Sequence, residues 1–502
     1  MKKIKLLCIS ASVVAAAFCH AAVNLAEPFA DGAILQRGMK VPVWGTATAG
    51  EKVTLTFAGK TVTAVVDATG FWRADLPEMQ ASSEGHVLKV VGDASSVEVK
   101  DVLVGEVWFC CGQSNTAMPL VGGSPRFRDW KGAMRAQMTN ERLVRFCCQS
   151  NYKTSPVPKK NCPLKVEWKA FTPKNLSSGS NFSAMGVYYA LELYRALHIP
   201  VGIIGAYWGG TRIEPWTPRC GLESVKETAA LANAQLYEKG AYEKLEKKPF
   251  GPTVATQPSV LWNEMVSPWT PYAIRGFIWY QGCSNAGDGA KYTAKMHALY
   301  NGWAKEFENP LLKLRFVQLA PWGNPTISQI QMAQAKFALE EPNAKMAVIN
   351  DRGNLHDIHP CDKETVGQRL ALLALKYDYG FNLRADSPTV KEWKVEGDAF
   401  IVTFNDVSKF YVYNPDHSVD AGFEICGKDG QWHPAKIRNL LSHKNNRGVT
   451  VCNGSVEDGP RLVLAADGVK EPEKLRYLHS RPWYGCVYNE VNLPLGAFEI
   501  SK

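Results

Sequence analysis

Four short polar segments of the chain contain side chains suited to nucleophilic chemistry. They are Gly112-Gln-Ser-Asn115, Trp208-Gly-Gly-Thr-Arg212, Gln281-Gly-Cys-Ser-Asn285 and His356-Asp-Ile-His-Pro360. A serine hydroxyl becomes an effective nucleophile when a histidine removes its proton, and that histidine needs a hydrogen-bonding partner to hold its tautomer. Ser114, His359 and Asp357 supply these three groups. Each segment taken alone also fits an ordinary turn.

Two of the segments also offer hydrogen-bond donors for a developing negative charge. The glycines at 209 and 210 leave backbone N–H groups unblocked, and Gln281 and Asn285 carry side-chain amides. Donors aimed at an oxyanion stabilise the transition state of acyl transfer. The alternative for the two amides is that they fix their loop to neighbouring carbonyl groups.

A metal site is the competing interpretation of the last segment. His356, Asp357 and His359 are all residue types that bind zinc. No second cluster of histidine or acidic residues completes a coordination shell, and the adjacent cysteine pairs 110–111 and 147–148 lack the spacing of a zinc site. The sequence therefore favours chemistry without a metal or other cofactor.

Each of the four segments follows a predicted strand. The predicted strands are Glu106–Cys110, Val201–Tyr207, Gly276–Tyr280, Leu314–Leu319 and Met346–Ile349, and the predicted helices between them include Val187–Leu197, Ser328–Leu339 and Glu364–Tyr377. Ser183 is the predicted cap of the first of these helices. Strands that alternate with helices predict an α/β fold with a mostly parallel sheet, whose ligands bind at the carboxyl ends of the strands. We therefore expect the four segments to converge.

The pattern divides the chain into four parts. Residues 1–21 have the basic start, apolar run and small residues of a signal peptide, which predicts a secreted or periplasmic protein. Residues 22–104 show short alternating runs and predict a β-sandwich-like domain. Residues 105–385 form the predicted α/β domain, and residues 386–502 return to short β runs. Cys19 raises the alternative of a lipid anchor, which Phe18 before it disfavours.

Charge and hydropathy exclude two classes of partner. The formal net charge is +9 over 502 residues, and Lys2, Lys3 and Lys5 in the signal segment contribute three of these charges. No block of Lys and Arg stands out, so nucleic acid is not an expected partner. No later apolar run approaches the roughly 20 residues of a membrane span. The sequence does not indicate an oligomeric state, and its 13 cysteines do not define a disulfide pairing.

Taken together and in order, the segments resemble the SGNH hydrolases, most closely their sialate O-acetylesterase branch. The matching blocks are Gly105-Glu-Val-Trp-Phe-Cys-Cys-Gly-Gln-Ser-Asn-Thr-Ala-Met-Pro119, Gly209-Gly-Thr-Arg-Ile-Glu-Pro-Trp216, Trp279-Tyr-Gln-Gly-Cys-Ser-Asn285 and Asp357-Ile-His-Pro360. The resemblance covers nearly the whole chain. It implies an SGNH-type three-layer α/β/α core flanked by N-terminal and C-terminal β-rich domains.

The resemblance also implies an activity and a role for each site residue. The expected activity is a serine esterase that removes O-acetyl groups from carbohydrate, with 9-O-acetylated sialic acid as the first substrate expected. The implied triad is Ser114, Asp357 and His359, and the implied oxyanion hole combines the N–H groups of Ser114 and Gly210 with a side-chain donor from Gln281 or Asn285. Gln113, Arg212 and Trp208 are the candidate substrate-binding residues.

Two features leave the substrate open. Cys283 stands where this branch usually has glutamate, which puts specificity in doubt more than the reaction. Arg212 is suited to bind a sialic acid carboxylate, or else it only braces Glu214. The tryptophans at 208, 216, 269 and 322 either stack on sugars or pack in the core. An acetylxylan or other polysaccharide esterase is the alternative enzyme, and a catalytically weakened carbohydrate-binding protein is the alternative of another class.

Overall fold

The structure is a computed structural model. It describes residues 21–120, 140–177, 182–232, 257–413, 421–444, 450–479 and 485–502, with only the backbone described at 442–444 and 450–453. The predicted signal segment lies outside the described residues, apart from its last residue.

The N-terminal part is built from strands. They are β1 (Asn24–Leu25), β2 (Ile34–Gln36), β3 (Val41–Thr46), β4 (Lys52–Phe57), β5 (Lys60–Val65), β6 (Phe71–Leu76), β7 (Ser82–Val91) and β8 (Ser96–Gly112). In β4 the buried residues Val53, Leu55 and Phe57 alternate with more exposed ones, as a strand with one face on the core requires. β8 pairs with β7 and continues into the central sheet, so the predicted boundary at 104/105 falls inside one strand.

The central sheet carries the predicted strands that precede the four segments. Its further strands are β9 (Glu141–Cys148), β10 (Lys169–Phe171), β11 (Val201–Tyr207), β12 (Gly276–Tyr280), β13 (Lys313–Val317) and β14 (Ala344–Ala347). The order is β10-β9-β11-β8-β12-β13-β14. The β10–β9 pair is antiparallel, and the other pairs along this path are parallel. Every residue of β11 and β12 is buried, because elements cover both faces of these strands.

The α-helices between the strands confirm the helix predictions. They are α1 (Ser114–Ala117), α2 (Pro173–Ser177), α3 (Ala184–Leu197), α4 (Arg219–Glu223), α5 (Ala229–Ala232), α6 (Lys291–Glu306), α7 (Ile327–Glu340) and α8 (Lys363–Tyr377). The Ser183 hydroxyl accepts a hydrogen bond from the Gly186 N–H at 3.2 Å, which confirms the predicted cap of α3. Helix α3 packs against α8, whereas α6 packs against α4 and α7.

The C-terminal part forms two sheets of its own. Its strands are β15 (Thr389–Glu396), β16 (Ala399–Asn405), β17 (Tyr411–Tyr413), β18 (Phe423–Gly427), β19 (Trp432–Ile437), β20 (Leu440–Lys444), β21 (Thr450–Val456), β22 (Arg461–Ala466), β23 (Pro472–Tyr477), β24 (Val487–Tyr488) and β25 (Phe498–Ser501). The seven-stranded sheet has the order β15-β16-β22-β19-β18-β23-β25, and the four-stranded sheet has the order β20-β21-β17-β24.

The described residues form two large hydrophobic cores and a small cluster around Leu222. One core runs from Val23 to Ala385, so the N-terminal strands share it with the central sheet. The C-terminal strands enclose their own core between Phe400 and Ala497. The C-terminal part contacts the segment after β14, because the Asn350 side chain donates to the Leu495 carbonyl at 2.6 Å.

The described part of the chain contains free thiols and no membrane-spanning helix. Cys110, Cys111 and Cys147 are free thiols, and they are buried as small apolar residues. Within the same residues, no helix is long and apolar enough to cross a bilayer.

Candidate active site

A sharp turn from β8 into α1 presents the Ser114 hydroxyl. Gly112 has a φ of +145°, and a Cβ at this position would collide with the carbonyl oxygen of Tyr280, so the turn requires glycine. Ser114 is the first residue of α1 and is partly exposed. The hydroxyl therefore lies at the carboxyl edge of the parallel strands, where the sequence predicted it.

Ser114, His359 and Asp357 come together as predicted. Nε2 of His359 lies 2.8 Å from Oγ of Ser114, although 245 positions separate the two residues. Nδ1 of His359 lies 3.4 Å from Oδ1 of Asp357, and the same carboxylate oxygen accepts the His359 backbone N–H at 3.0 Å. The arrangement orients the imidazole with one nitrogen toward the carboxylate and the other toward the hydroxyl.

Burial lowers the pKa of His359 below its ordinary value. The charge of Asp357 opposes this effect and raises the pKa, and Lys363 lowers it. A lowered pKa keeps the imidazole neutral at neutral pH. The neutral ring is the form that can accept a proton from Ser114.

A buried pair of residues ties the serine turn to the histidine loop. The Asn115 amide donates to the Ile358 carbonyl at 3.0 Å, and its oxygen accepts from Nζ of Lys363 at 2.7 Å. The same lysine donates to the Pro360 carbonyl at 2.6 Å. Both side chains are only 1% exposed, and burial lowers the pKa of Lys363 to about 7. We did not predict this pair from the sequence, since a lysine in the first turn of a helix usually lies in solvent.

The backbone near the serine includes two glycines, one of which contacts the serine side chain. Gly209 lies against the nucleophile, since a Cβ on this glycine would be 3.2 Å from Cβ of Ser114. Gly210 has a φ of +75° and is exposed. Among the backbone hydrogen bonds of the described residues, none is donated by Ser114 or Gly210 outside regular elements.

The prediction that Gln281 or Asn285 donates to the oxyanion conflicts with the geometry. Nε2 of Gln281 donates to the Thr211 carbonyl at 3.0 Å and to Oδ1 of Asn285 at 2.8 Å. Nδ2 of Asn285 donates to Glu214 at 3.1 Å and to Asp288 at 2.6 Å. A side-chain amide has two hydrogens, so both amides are fully used within the loop and have none left for an oxyanion.

Arg212 contacts the same two carboxylates as Asn285. This bracing role was the predicted alternative to binding a substrate carboxylate. Its guanidinium contacts Glu214 at 3.1 Å and Asp288 at 2.9 Å, and it also donates to the Ser284 carbonyl at 3.2 Å. Nζ of Lys295 lies 2.6 Å from each of the two carboxylates. These cations lower the pKa of Glu214 against the effect of its burial. The Arg212 guanidinium is thus already paired with two carboxylates of the protein.

The Gln113 side chain is also buried and hydrogen-bonded within the protein. It is 2% exposed, and its side-chain oxygen accepts from the Gly282 N–H at 3.1 Å. Its amide lies 3.5 Å from Oγ of Ser284. The predicted substrate contact of Gln113 is therefore corrected to a brace between the serine turn and the loop after β12.

The tryptophans divide into two groups. Trp216 and Trp269 are fully buried and pack in the core, which removes them as sugar-stacking candidates. Trp208 and Trp322 are partly exposed, and Trp208 forms an edge contact with Tyr152 at a centroid distance of 5.5 Å. Its backbone N–H donates to the Gly112 carbonyl at 3.1 Å, which places Trp208 beside the serine turn. Trp208 thus remains a candidate substrate contact.

Cys283 occupies the position of the family glutamate without adding charge. Burial raises the pKa of its thiol to about 12, so the side chain is neutral. Its neighbour Lys363 has carbonyl and amide oxygens as hydrogen-bond acceptors and lies over the Tyr280 ring at 5.3 Å. Lys363 therefore has polar partners even though residue 283 supplies no carboxylate. Within the described residues, no group of three or more His, Cys, Asp or Glu side chains is arranged to hold a metal ion.

Comparisons with known proteins find relatives that span most of the chain. A family described as carbohydrate esterase, sialic acid-specific acetylesterase, matches residues 104–376. The sialate O-acetylesterase of Rattus norvegicus is 28% identical over 469 residues, covering 83% of this chain and 84% of that protein. The human sialate O-acetylesterase is 27% identical, covering 82% of each chain.

A solved structure extends the similarity to the whole fold. A carbohydrate acetylesterase from Xanthomonas citri is 30% identical and superposes with a TM-score of 0.79, covering 96% of this chain and 100% of that one. The protein is accordingly a carboxylic ester hydrolase that acts on O-acetylated carbohydrate. It belongs to the sialic acid-specific acetylesterase family of carbohydrate esterases.

Proposed function

We propose that the protein is a serine esterase that deacetylates carbohydrate through an acetyl-serine intermediate. His359 takes the proton of Ser114 as Oγ attacks the acetyl carbonyl carbon, and Asp357 stabilises the imidazolium. The N–H groups of Ser114 and Gly210 meet the oxyanion. The sugar oxygen leaves with the proton from His359, and a water molecule then releases acetate by the reverse sequence. The 2.8 Å contact between His359 and Ser114 carries this proposal.

We further propose the domain division and the location of the protein. Residues 105–385 would form an SGNH-type three-layer core, with β-rich domains at 22–104 and 386–502, and strand β8 and one hydrophobic core span the first of these boundaries. The parallel pairs around β8 and the two separately packed groups of helices support this arrangement. Export after removal of a signal peptide at 1–21 rests on the sequence pattern.

The first substrate proposed is 9-O-acetylated sialic acid. The family description and the names of the curated relatives support it. The second candidate is an acetylated neutral polysaccharide such as acetylxylan. It is favoured by Arg212, whose guanidinium is paired with Glu214 and Asp288 instead of facing a substrate carboxylate.

Acetate release from three esters tests the proposal. The esters are a 9-O-acetylated sialic acid glycoside, acetylated xylohexaose and 4-nitrophenyl acetate. We expect the wild-type protein to hydrolyse the aryl ester and one of the two glycans, and the Ser114→Ala variant to hydrolyse none. Hydrolysis of the aryl ester with neither glycan as a substrate would contradict both proposed substrates.

A further inference from the structure

Three tyrosines share the outer face of the four-stranded C-terminal sheet. Val412 of β17 and Val487 of β24 are buried in the C-terminal core. Successive residues of a strand point to opposite faces, so Tyr411, Tyr413 and Tyr488 lie on the other side. Tyr413 is 51% exposed.

The tyrosine rings form a connected surface. The Tyr411 and Tyr413 rings are 6.5 Å apart with an angle of 6° between their planes, and the Tyr488 ring lies 5.7 Å from Tyr413. Strand register continues this face, since Tyr411 is opposite both Tyr488 and Ser455. Leu441 is opposite Ser455 and is 47% exposed. We call these five residues the tyrosine face, and none of them carries a charge.

The tyrosine face adjoins the loop that carries the candidate base. The Tyr488 hydroxyl donates to the Gly485 carbonyl at 3.1 Å, and the Gly485 N–H donates to the Asn350 carbonyl at 3.0 Å. Asn350 begins the segment that leads to His359. In that segment, the Arg352 guanidinium lies 3.6 Å from Asp362, which caps α8 just after His359. Tyr488 of the tyrosine face is thus connected by hydrogen bonds to the start of the segment that leads to the candidate base.

We propose that the tyrosine face binds the glycan chain whose acetylated sugar enters the catalytic site. Sugar rings present C–H groups that stack on aromatic rings, while hydroxyl groups of tyrosine and serine can exchange hydrogen bonds with sugar hydroxyls. This inference rests on the proposed function, because it takes the occupant to be part of the same substrate.

Affinity electrophoresis of the full chain in gels containing soluble xylan, glucomannan or sialylated mucin tests the inference. The Ser114→Ala variant provides the background, so that binding is measured without hydrolysis. We expect at least one polymer to retard this variant, and the added substitutions Tyr411→Ala and Tyr413→Ala to reduce its binding constant at least tenfold. The added substitutions Tyr411→Phe and Tyr413→Phe keep the rings and should keep the retardation.

Controls separate binding from folding and from self-association. Phe71→Ala removes an aromatic side chain that is 41% exposed on β6, away from the tyrosine face, and should leave retardation unchanged. Retardation by no polymer, or retardation that survives the alanine substitutions, would overturn the inference. A wild-type dimer that these substitutions dissociate would also overturn it, since a second copy would then occupy the face. Failure of the proposed esterase is distinguishable, because it appears as absent ester hydrolysis.

Discussion

Nζ of Lys363 lies 2.7 Å from Oδ1 of Asn115, the residue that follows the candidate nucleophile. The same nitrogen binds the carbonyl of Pro360, the residue that follows the candidate base. One buried lysine therefore contacts both chain segments that must meet for catalysis. This contact explains how two distant loops keep a 2.8 Å separation between Ser114 and His359.

Replacement of this lysine should weaken catalysis. Lys363→Met keeps much of the side-chain volume but removes the nitrogen that donates both hydrogen bonds. The histidine loop therefore loses one attachment to the serine turn. We expect kcat/KM for 4-nitrophenyl acetate to fall at least about tenfold, the scale of effects caused by small misplacements of reacting groups. Lys336→Met, on the exposed side of α7, is the matched control and should retain full activity. Equal rates for the two folded variants would argue against a positioning role.

The pH dependence should report His359. Because its pKa is lowered from 6.5, the reactive neutral imidazole persists to lower pH than in an ordinary histidine. We expect kcat/KM to be constant near neutral pH and to fall with acid through a midpoint below 6.5. Asp357→Asn removes the charge that raises this pKa, so its midpoint should move lower still, with a plateau reduced by about a hundredfold or more. An upward shift of the midpoint would contradict the assignment.

A substitution at Asn285 distinguishes a structural role of its side-chain amide from a role as oxyanion donor. Asn285→Ala removes one hydrogen-bond donor from each of Glu214 and Asp288 and leaves the Ile213 N–H without its acceptor. We expect the free energy of unfolding to fall by about 2 kcal/mol, measured by urea denaturation, while kcat of the folded variant changes less than tenfold. An oxyanion donor would behave differently, because its loss costs about a hundredfold or more in kcat. That loss at unchanged stability would restore the role first predicted for Asn285.

Gly209 should tolerate no side chain. The Cβ of Gly209→Ala would lie 3.2 Å from Cβ of Ser114, so the serine must move. We expect kcat/KM to fall by about tenfold or more, with a thermal midpoint close to that of the wild type. Gly287→Ala is the control, because its new Cβ meets nothing within 4 Å. Full activity in both variants would show that the backbone at 209 does not confine the nucleophile.

The sequence predicted strands and loop positions best where the local residue pattern agrees with burial. The strands Val201–Tyr207 and Gly276–Tyr280 have the predicted ends, because each is an apolar run that leads into a glycine-containing loop. The contact of Ser114 with His359 was also predicted, since parallel strands bring the loops at their carboxyl ends to one edge. These features follow from short stretches of sequence and from the general geometry of sheets.

Other features depend on contacts that the sequence pattern does not show. Gln281 has the right chemistry for an oxyanion donor, but Thr211 and Asn285 capture its amide. Lys363 is buried only because its neighbours supply oxygen acceptors for its nitrogen. Strand β8 crosses the predicted domain boundary since its alternating first half and buried second half belong to one extended segment. Each of these outcomes is decided by residues from distant segments.

The turnover of 4-nitrophenyl acetate by Ser114→Ala tests the central claim most directly. If the hydroxyl of Ser114 is the nucleophile activated by His359, kcat should fall by at least about a thousandfold, because removal of a nucleophile leaves only binding and oxyanion stabilisation. The thermal midpoint should stay near that of the wild type. A folded Ser114→Ala variant that retains more than about a tenth of wild-type kcat would contradict the account.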